Sequence, residues 1–192
     1  MEFVDGQTLL EVVSRGPLPV AEACRAVLDA ARGLAHAHAA QLIHRDVKPG
    51  NMMRTSSGDT KILDFGLVVS PEETSSLTAP NLVMGTPDYI SPEQAEDPHS
   101  ADERSDINSL GCTLYHLLTG PVPFPETSVV RKIDAHRSKE VHLTSLPMAL
   151  RAIVLRMVHI EAPYGIVKAC PLRNGDLKLS DHERFVPTDM TR

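Results

Sequence analysis

Tryptophan is missing from this 192-residue chain and aromatics make up only 4% of it, so any core has to be built by aliphatic packing. Cysteine is scarce. Cys24, Cys112 and Cys170 are widely spaced, odd in number and form no C-x-x-C pair, which excludes a disulfide framework and points to a reducing compartment. Each thiol reads as a small buried hydrophobe. No apolar run reaches the ~18 residues that a bilayer-spanning helix needs, so no membrane segment is expected. Positive charge is also short. The formal net charge of −6 argues against nucleic acid as the main partner, because phosphate binding needs a basic surface. The start, Met1-Glu2-Phe3-Val4-Asp5, is acidic and lacks the basic region of a secretory signal, so a cytoplasmic location is expected. Nine histidines are present, but His36 and His38 are two apart and face different sides of a helix. No His-x-x-x-His pair lies beside a third ligand, which argues against a zinc site.

What is present suits one soluble unit. The length falls in the range of roughly 100–200 residues per domain, and 42% hydrophobic with 23% charged residues is ordinary for a globular protein. The spacing predicts a helix over 20–41, with Val20, Ala23, Val27, Ala31, Leu34 and His38 on one face. Pro49-Gly50 makes 42–51 a loop. Residues 52–54 and 61–63 read as two strands about the turn Ser56-Ser57-Gly58-Asp59. Three prolines and many Ser and Thr make 67–90 a long irregular loop, of the length that is usually functional. A second helix over 104–118 is apolar around much of its circumference and should be buried centrally, with Gly120 ending it. Further helices are expected near 127–137 and over 147–158, the latter with Pro147 in its first turn. Residues 163–180 read as a weak hairpin about Asn174-Gly175, spoiled in part by Pro171.

The chemistry concentrates in one stretch. Residues 44–51 read His44-Arg45-Asp46-Val47-Lys48-Pro49-Gly50-Asn51, and Asp64-Phe65-Gly66 follows after one short hairpin. Together they supply a carboxylate able to accept a proton, a cation, and two oxygen ligands of the hard type that suits Mg²⁺. That set meets the needs of phosphoryl transfer, which is mostly positioning and charge neutralisation. Taken singly, Asp46 or Asp64 reads as a loop aspartate capping a turn. The combination is what favours the catalytic reading.

Two later blocks extend the pattern: Gly85-Thr86-Pro87-Asp88-Tyr89-Ile90-Ser91-Pro92-Glu93 and Asp106-Ile107-Asn108-Ser109-Leu110-Gly111. In this order and spacing the four blocks resemble the C-terminal lobe of a Ser/Thr protein kinase of the bacterial type, over residues 1–158. The resemblance implies a mainly α fold with a small β-hairpin, lacking the N-terminal β lobe, and a divergent tail over 159–192 that is disordered or a weak hairpin. It implies transfer of the ATP γ-phosphate to a protein Ser/Thr hydroxyl, with ATP and Mg²⁺ as cofactors. Asp46 would be the base and Lys48 would reach the transferring phosphate. Asn51 and Asp64 would hold the metal. Glu2 and Val4 would meet adenine, Thr8 would lie near ribose and Met53 beneath the ring. Thr86 would sit near base and lysine and favour Ser/Thr acceptors. Arg45 would bind a phosphate on Thr74, Ser75, Ser76 or Thr78, and His44 would pack on Phe65. Asp106 would start the buried helix and hold the catalytic loop's backbone.

The departures carry expectations of their own. No G-x-G-x-x-G occurs, and every lysine lies at Lys48 or later, so the chain is expected to be a truncated catalytic domain that begins at the hinge. Unaided catalysis should then be weak, since misplacing reactants costs ~10²-fold or more. Glu93 lacks an evident arginine partner, and Asn108 stands where the family usually has an aromatic. The alternative function is a non-catalytic remnant acting as a protein-interaction module through the cleft floor and the helix near 127–137. The expected partners are a protein substrate with a Ser/Thr acceptor and another kinase chain.

Overall fold

The helix over Glu103–Thr119 (α4) is buried on nearly every side and the rest of the fold is laid around it. The computed structural model describes residues 5–65 and 85–158. Within them a strand Gly6–Thr8 (β1) leads into a short helix Leu9–Val13 (α1) and then the long helix Val20–Ala39 (α2). Strands Met52–Thr55 (β2) and Thr60–Ile62 (β3) follow, then helices Pro92–Glu96 (α3), α4, Val129–Ser138 (α5) and Met148–Val158 (α6). The protein is mostly helical with one small antiparallel sheet.

That sheet has three strands in the order β1-β2-β3, not the two of a lone hairpin. The register sets Thr8 opposite Met53 and Met53 opposite Lys61. β1 was not expected, because Gly-Gln-Thr has no apolar alternation. Its strand conformation comes from pairing with β2. Gly6 allows the approach: a Cβ there would lie 2.2 Å from the Arg54 carbonyl oxygen. Thr8 then caps α1, accepting from the Glu11 amide while Glu11 reaches back to the Thr8 amide at 2.9 Å.

α2 ends at Ala39, two residues earlier than its pattern suggests, where Gln41 turns left-handed at φ 60°. Its buried stripe is Ala23, Ala26, Val27, Ala30, Leu34 and Ala37, mostly alanines, which let α2 lie close on α4. Val20, assigned to that stripe from spacing, is 45% exposed instead. Asp102 caps α4, so Asp106 lies in its first turn and does not begin it. Gly120, at φ 91°, closes its C-terminus. α6 begins at Met148 after a tight turn over Leu143–Ser145 and packs on α4 where Gly111 leaves room. Asn108, buried, donates to the Val158 carbonyl at 2.7 Å and so ties α4 to the last described turn of α6. The expected hairpin at 163–180, the thiol of Cys170 and the loop residues 67–84 lie outside the described residues.

Candidate active site

The catalytic-loop candidates are held from beneath by one buried carboxylate. Asp106 is fully buried and accepts from the His44 amide at 2.9 Å, the Arg45 amide at 2.8 Å and His38 Nε2 at 2.7 Å. Three donors compensate for its desolvation. Arg45 takes a left-handed φ of 67°, a strained position for a residue other than glycine. Both of its backbone groups are captured, the amide by Asp106 and the carbonyl by Gln94 Nε2 at 2.7 Å. Among the described residues its side-chain Nε has no hydrogen-bond partner.

His44 orders the next layer. Its Nε2 lies 2.8 Å from the Leu63 carbonyl, which only accepts, and its Nδ1 receives the Asp46 amide at 3.3 Å. These partners place the ring proton on Nε2. The ring also meets Phe65 at 4.8 Å between centroids, as the sequence led one to expect. The loop, the β3 end and α4 are thereby fastened together.

Asp46, Lys48, Asn51 and Thr86 meet directly. Lys48 Nζ lies 2.6 Å from Asp46 Oδ2 and 2.6 Å from Thr86 Oγ1. Thr86 donates to Asp46 Oδ1 twice, from its hydroxyl at 2.9 Å and its amide at 3.0 Å. Asn51 Nδ2 donates to the Asp46 carbonyl at 2.8 Å and to its carboxylate at 3.0 Å. Because the amide nitrogen is used inward, the Asn51 oxygen is left as the group available to a cation. Asp64 joins through the backbone. The Leu63 amide donates to the Asn51 carbonyl at 2.8 Å, extending the β2–β3 pairing, and Asp64 follows at once, exposed and at φ 56°.

The nucleotide-facing candidates are placed unevenly. Met53 is half-buried in the central strand, and Thr8, opposite it, has its hydroxyl engaged in the α1 cap. Glu2, Val4, Thr74, Ser75, Ser76 and Thr78 lie outside the described residues. Among the described residues no cluster of three or more His, Cys, Asp or Glu could hold a metal, so Asn51 and Asp64 would need further oxygen ligands from a bound phosphate or water.

The segment that carries Thr86 has its own supports, none of them anticipated from sequence. Residues 86–89 form a turn closed by the Tyr89 amide on the Thr86 carbonyl at 2.9 Å. Ser109 donates to the Tyr89 carbonyl at 2.7 Å, and the Tyr89 hydroxyl lies 2.7 Å from His116 Nδ1. Burial pushes the Tyr89 phenol up and the His116 imidazole down, so both stay neutral. Lys132 of α5 pairs with Asp88. His136, one turn on, packs edge-on to Phe124 at 4.8 Å and faces the Pro87 and Asp88 backbone without completing a hydrogen bond. Burial pushes its pKa down to about 4. His38 was likewise missed as a partner. A polar residue ending an otherwise apolar stripe was the available signal.

Glu93 accepts from Ser105 at 2.6 Å, so it has a partner within the fold. Cys112 is buried, with its thiol pushed up to about 12. No helix among the described residues is long and apolar enough to cross a membrane.

A family model described as the protein kinase domain matches residues 1–160. The chain is 46% identical to serine/threonine-protein kinase PknB of Mycobacterium leprae over 137 residues, which is 71% of this chain and 22% of that protein. It is 44% identical to serine/threonine-protein kinase PknL of Mycobacterium tuberculosis over 140 residues, 70% of this chain and 35% of that protein. The chain thus spans well under half the length of these curated relatives.

Proposed function

The chain belongs to the protein kinase domain family, a protein serine/threonine kinase by descent, and on that premise we propose that it carries the lower half of an ATP-dependent phosphotransfer site. The observation that supports this most is the direct meeting of Asp46, Lys48, Asn51 and Thr86. In this reading residues 1–158 are the C-lobe and 159–192 a divergent tail.

The donor set fits a magnesium nucleotide: an amide oxygen on Asn51 and an exposed carboxylate on Asp64, two hard ligands at the end of one hairpin. When bound, Mg·ATP supplies the transferable phosphoryl group and the charge that neutralises it. Asp46 accepts the proton of an acceptor hydroxyl and holds it oriented. Thr86 and Asn51, by donating to the Asp46 carboxylate, fix where its oxygens point. Lys48 offers a cation beside the base, where negative charge grows in the transition state. Glu2, Val4, Thr8 and Met53 would receive the adenosine end. Arg45, half-buried with an unpartnered Nε among the described residues, would receive a phosphate placed on Thr74, Ser75, Ser76 or Thr78. The partner class is a protein bearing a Ser or Thr acceptor, and the compartment is the cytoplasm.

The 192 residues contain no glycine-rich phosphate cover, so efficient turnover requires one from additional polypeptide. Incubated with Mg-ATP and a generic Ser/Thr peptide, the chain should transfer little phosphate. Joined to the glycine-rich segment of a relative it should gain about 10²-fold or more, from positioning alone. Asp46→Asn should abolish that gain. Robust turnover by the 192 residues unaided, lost in Asp46→Asn, would show the cover to be dispensable. A second reading, a non-catalytic docking module, draws on Val129 and Val130, which are 47% and 76% exposed at the start of α5.

A further inference from the structure

Thr86 reaches Asp46 only if the turn that bears it is held in place. Its amide and hydroxyl both donate to the same carboxylate oxygen, so a small shift of the turn breaks both bonds together. α4 supports the turn from below through Ser109 and His116. Further support comes from the side, from α5, across 44 residues of sequence. Lys132 pairs with Asp88, the third residue of the turn, and His136 lies on the same helical face four residues on.

This ion pair differs from the other that α5 makes among the described residues. Arg137 with Glu96, at 49% and 59% exposure, is a solvated surface contact of small worth. Lys132 and Asp88 retain only 22% and 25% exposure, so their attraction is screened less. The pair also grips a turn whose other end touches the catalytic carboxylate. We propose that α5 is a positioning element of the catalytic centre, in which Lys132 acts through Asp88 to hold Thr86 on Asp46. The proposal rests on the reading of Asp46 as the catalytic carboxylate, but the contact it concerns is measurable without catalysis.

The test is amide hydrogen exchange in the full 192-residue chain, followed residue by residue by NMR. Lys132→Met should speed exchange at the Thr86 amide about fivefold, as loss of a half-buried pair implies, while Leu114 and Leu117 in α4 keep their protection. Asp88→Asn should do the same. The charge-swapped double variant, Asp88→Lys with Lys132→Asp, should bring Thr86 back toward the parent rate. Unchanged Thr86 exchange in both single variants would overturn the proposal. So would a swap that restores nothing, or equal acceleration in α4, which would make the pair a support of the whole fold. Failure of phosphate transfer would leave this readout intact, so the two ideas fail separately.

Discussion

Among the described residues the Asp106 carboxylate meets three donors, in a fully buried position. Asparagine has the same shape but replaces one oxygen with an NH₂ group, which must then face an N–H. In Asp106→Asn at least one of the His44 and Arg45 amides or the His38 ring is left buried without an acceptor. Such a group costs about 1–3 kcal/mol, more where a charge was involved. Urea unfolding should therefore show a loss of about 2–3 kcal/mol. A variant as stable as the parent would mean that water reaches the loop. That Asp46, Lys48 and Asn51 lie together was legible in the sequence, because they share one eight-residue loop. The partnership of Asp88 with Lys132, or of His38 with Asp106, was not. Residues 44 or 68 apart meet only through the packing of the elements that carry them.

At the scale of elements, the contact of α4 with α6 depends on a missing side chain. A Cβ on Gly111 would lie 2.6 Å from Met157 Cβ and 3.0 Å from Val158 Cγ2. Neither atom is the flexible end of a long chain, so the helices have to separate. Gly111→Ala gains helix propensity but overpacks the interface, and the second effect is larger, at about 1–3 kcal/mol. Thermal unfolding should show a lowered midpoint, and a raised one would refute the close approach. α2, α4, α5 and α6 were legible because each runs for ten residues or more, long enough for a pattern to show. β1, α1 and α3 were not, having three, five and five residues. Elements that short have too few positions to show a period and owe their conformation to neighbours. β1 needs β2 and α3 needs the Ser91 cap. Even in α2 the period misjudged an end: Val20 shares the apolar face by spacing but is 45% exposed, while His38 at the other end found a carboxylate.

Across the whole molecule, α5 places Ala135 in the shared apolar core but is otherwise fastened, among the described residues, by ion pairs to the turn and to α3, with one buried imidazole beside them. His136 is 6% exposed and stays neutral in the fold, its pKa pushed from 6.5 down to about 4, chiefly by burial. The nearby backbone of Asp88 and Pro87 and the Asp88 charge pull the other way, and Lys132 adds to the depression. Between these two values the unfolded chain binds a proton that the folded chain does not. Stability then rises with pH through this window, is complete above it, and is lost as pH falls from 6.5 toward 4. His116 acts in the same direction and remains in any comparison. His136→Phe keeps an aromatic ring against Phe124 and removes the titration. Between those pH values the parent should therefore lose about 3 kcal/mol more than this variant, with urea unfolding as the measurement. Parallel losses would mean that the imidazole protonates without opening the joint between α5 and the turn that bears Thr86.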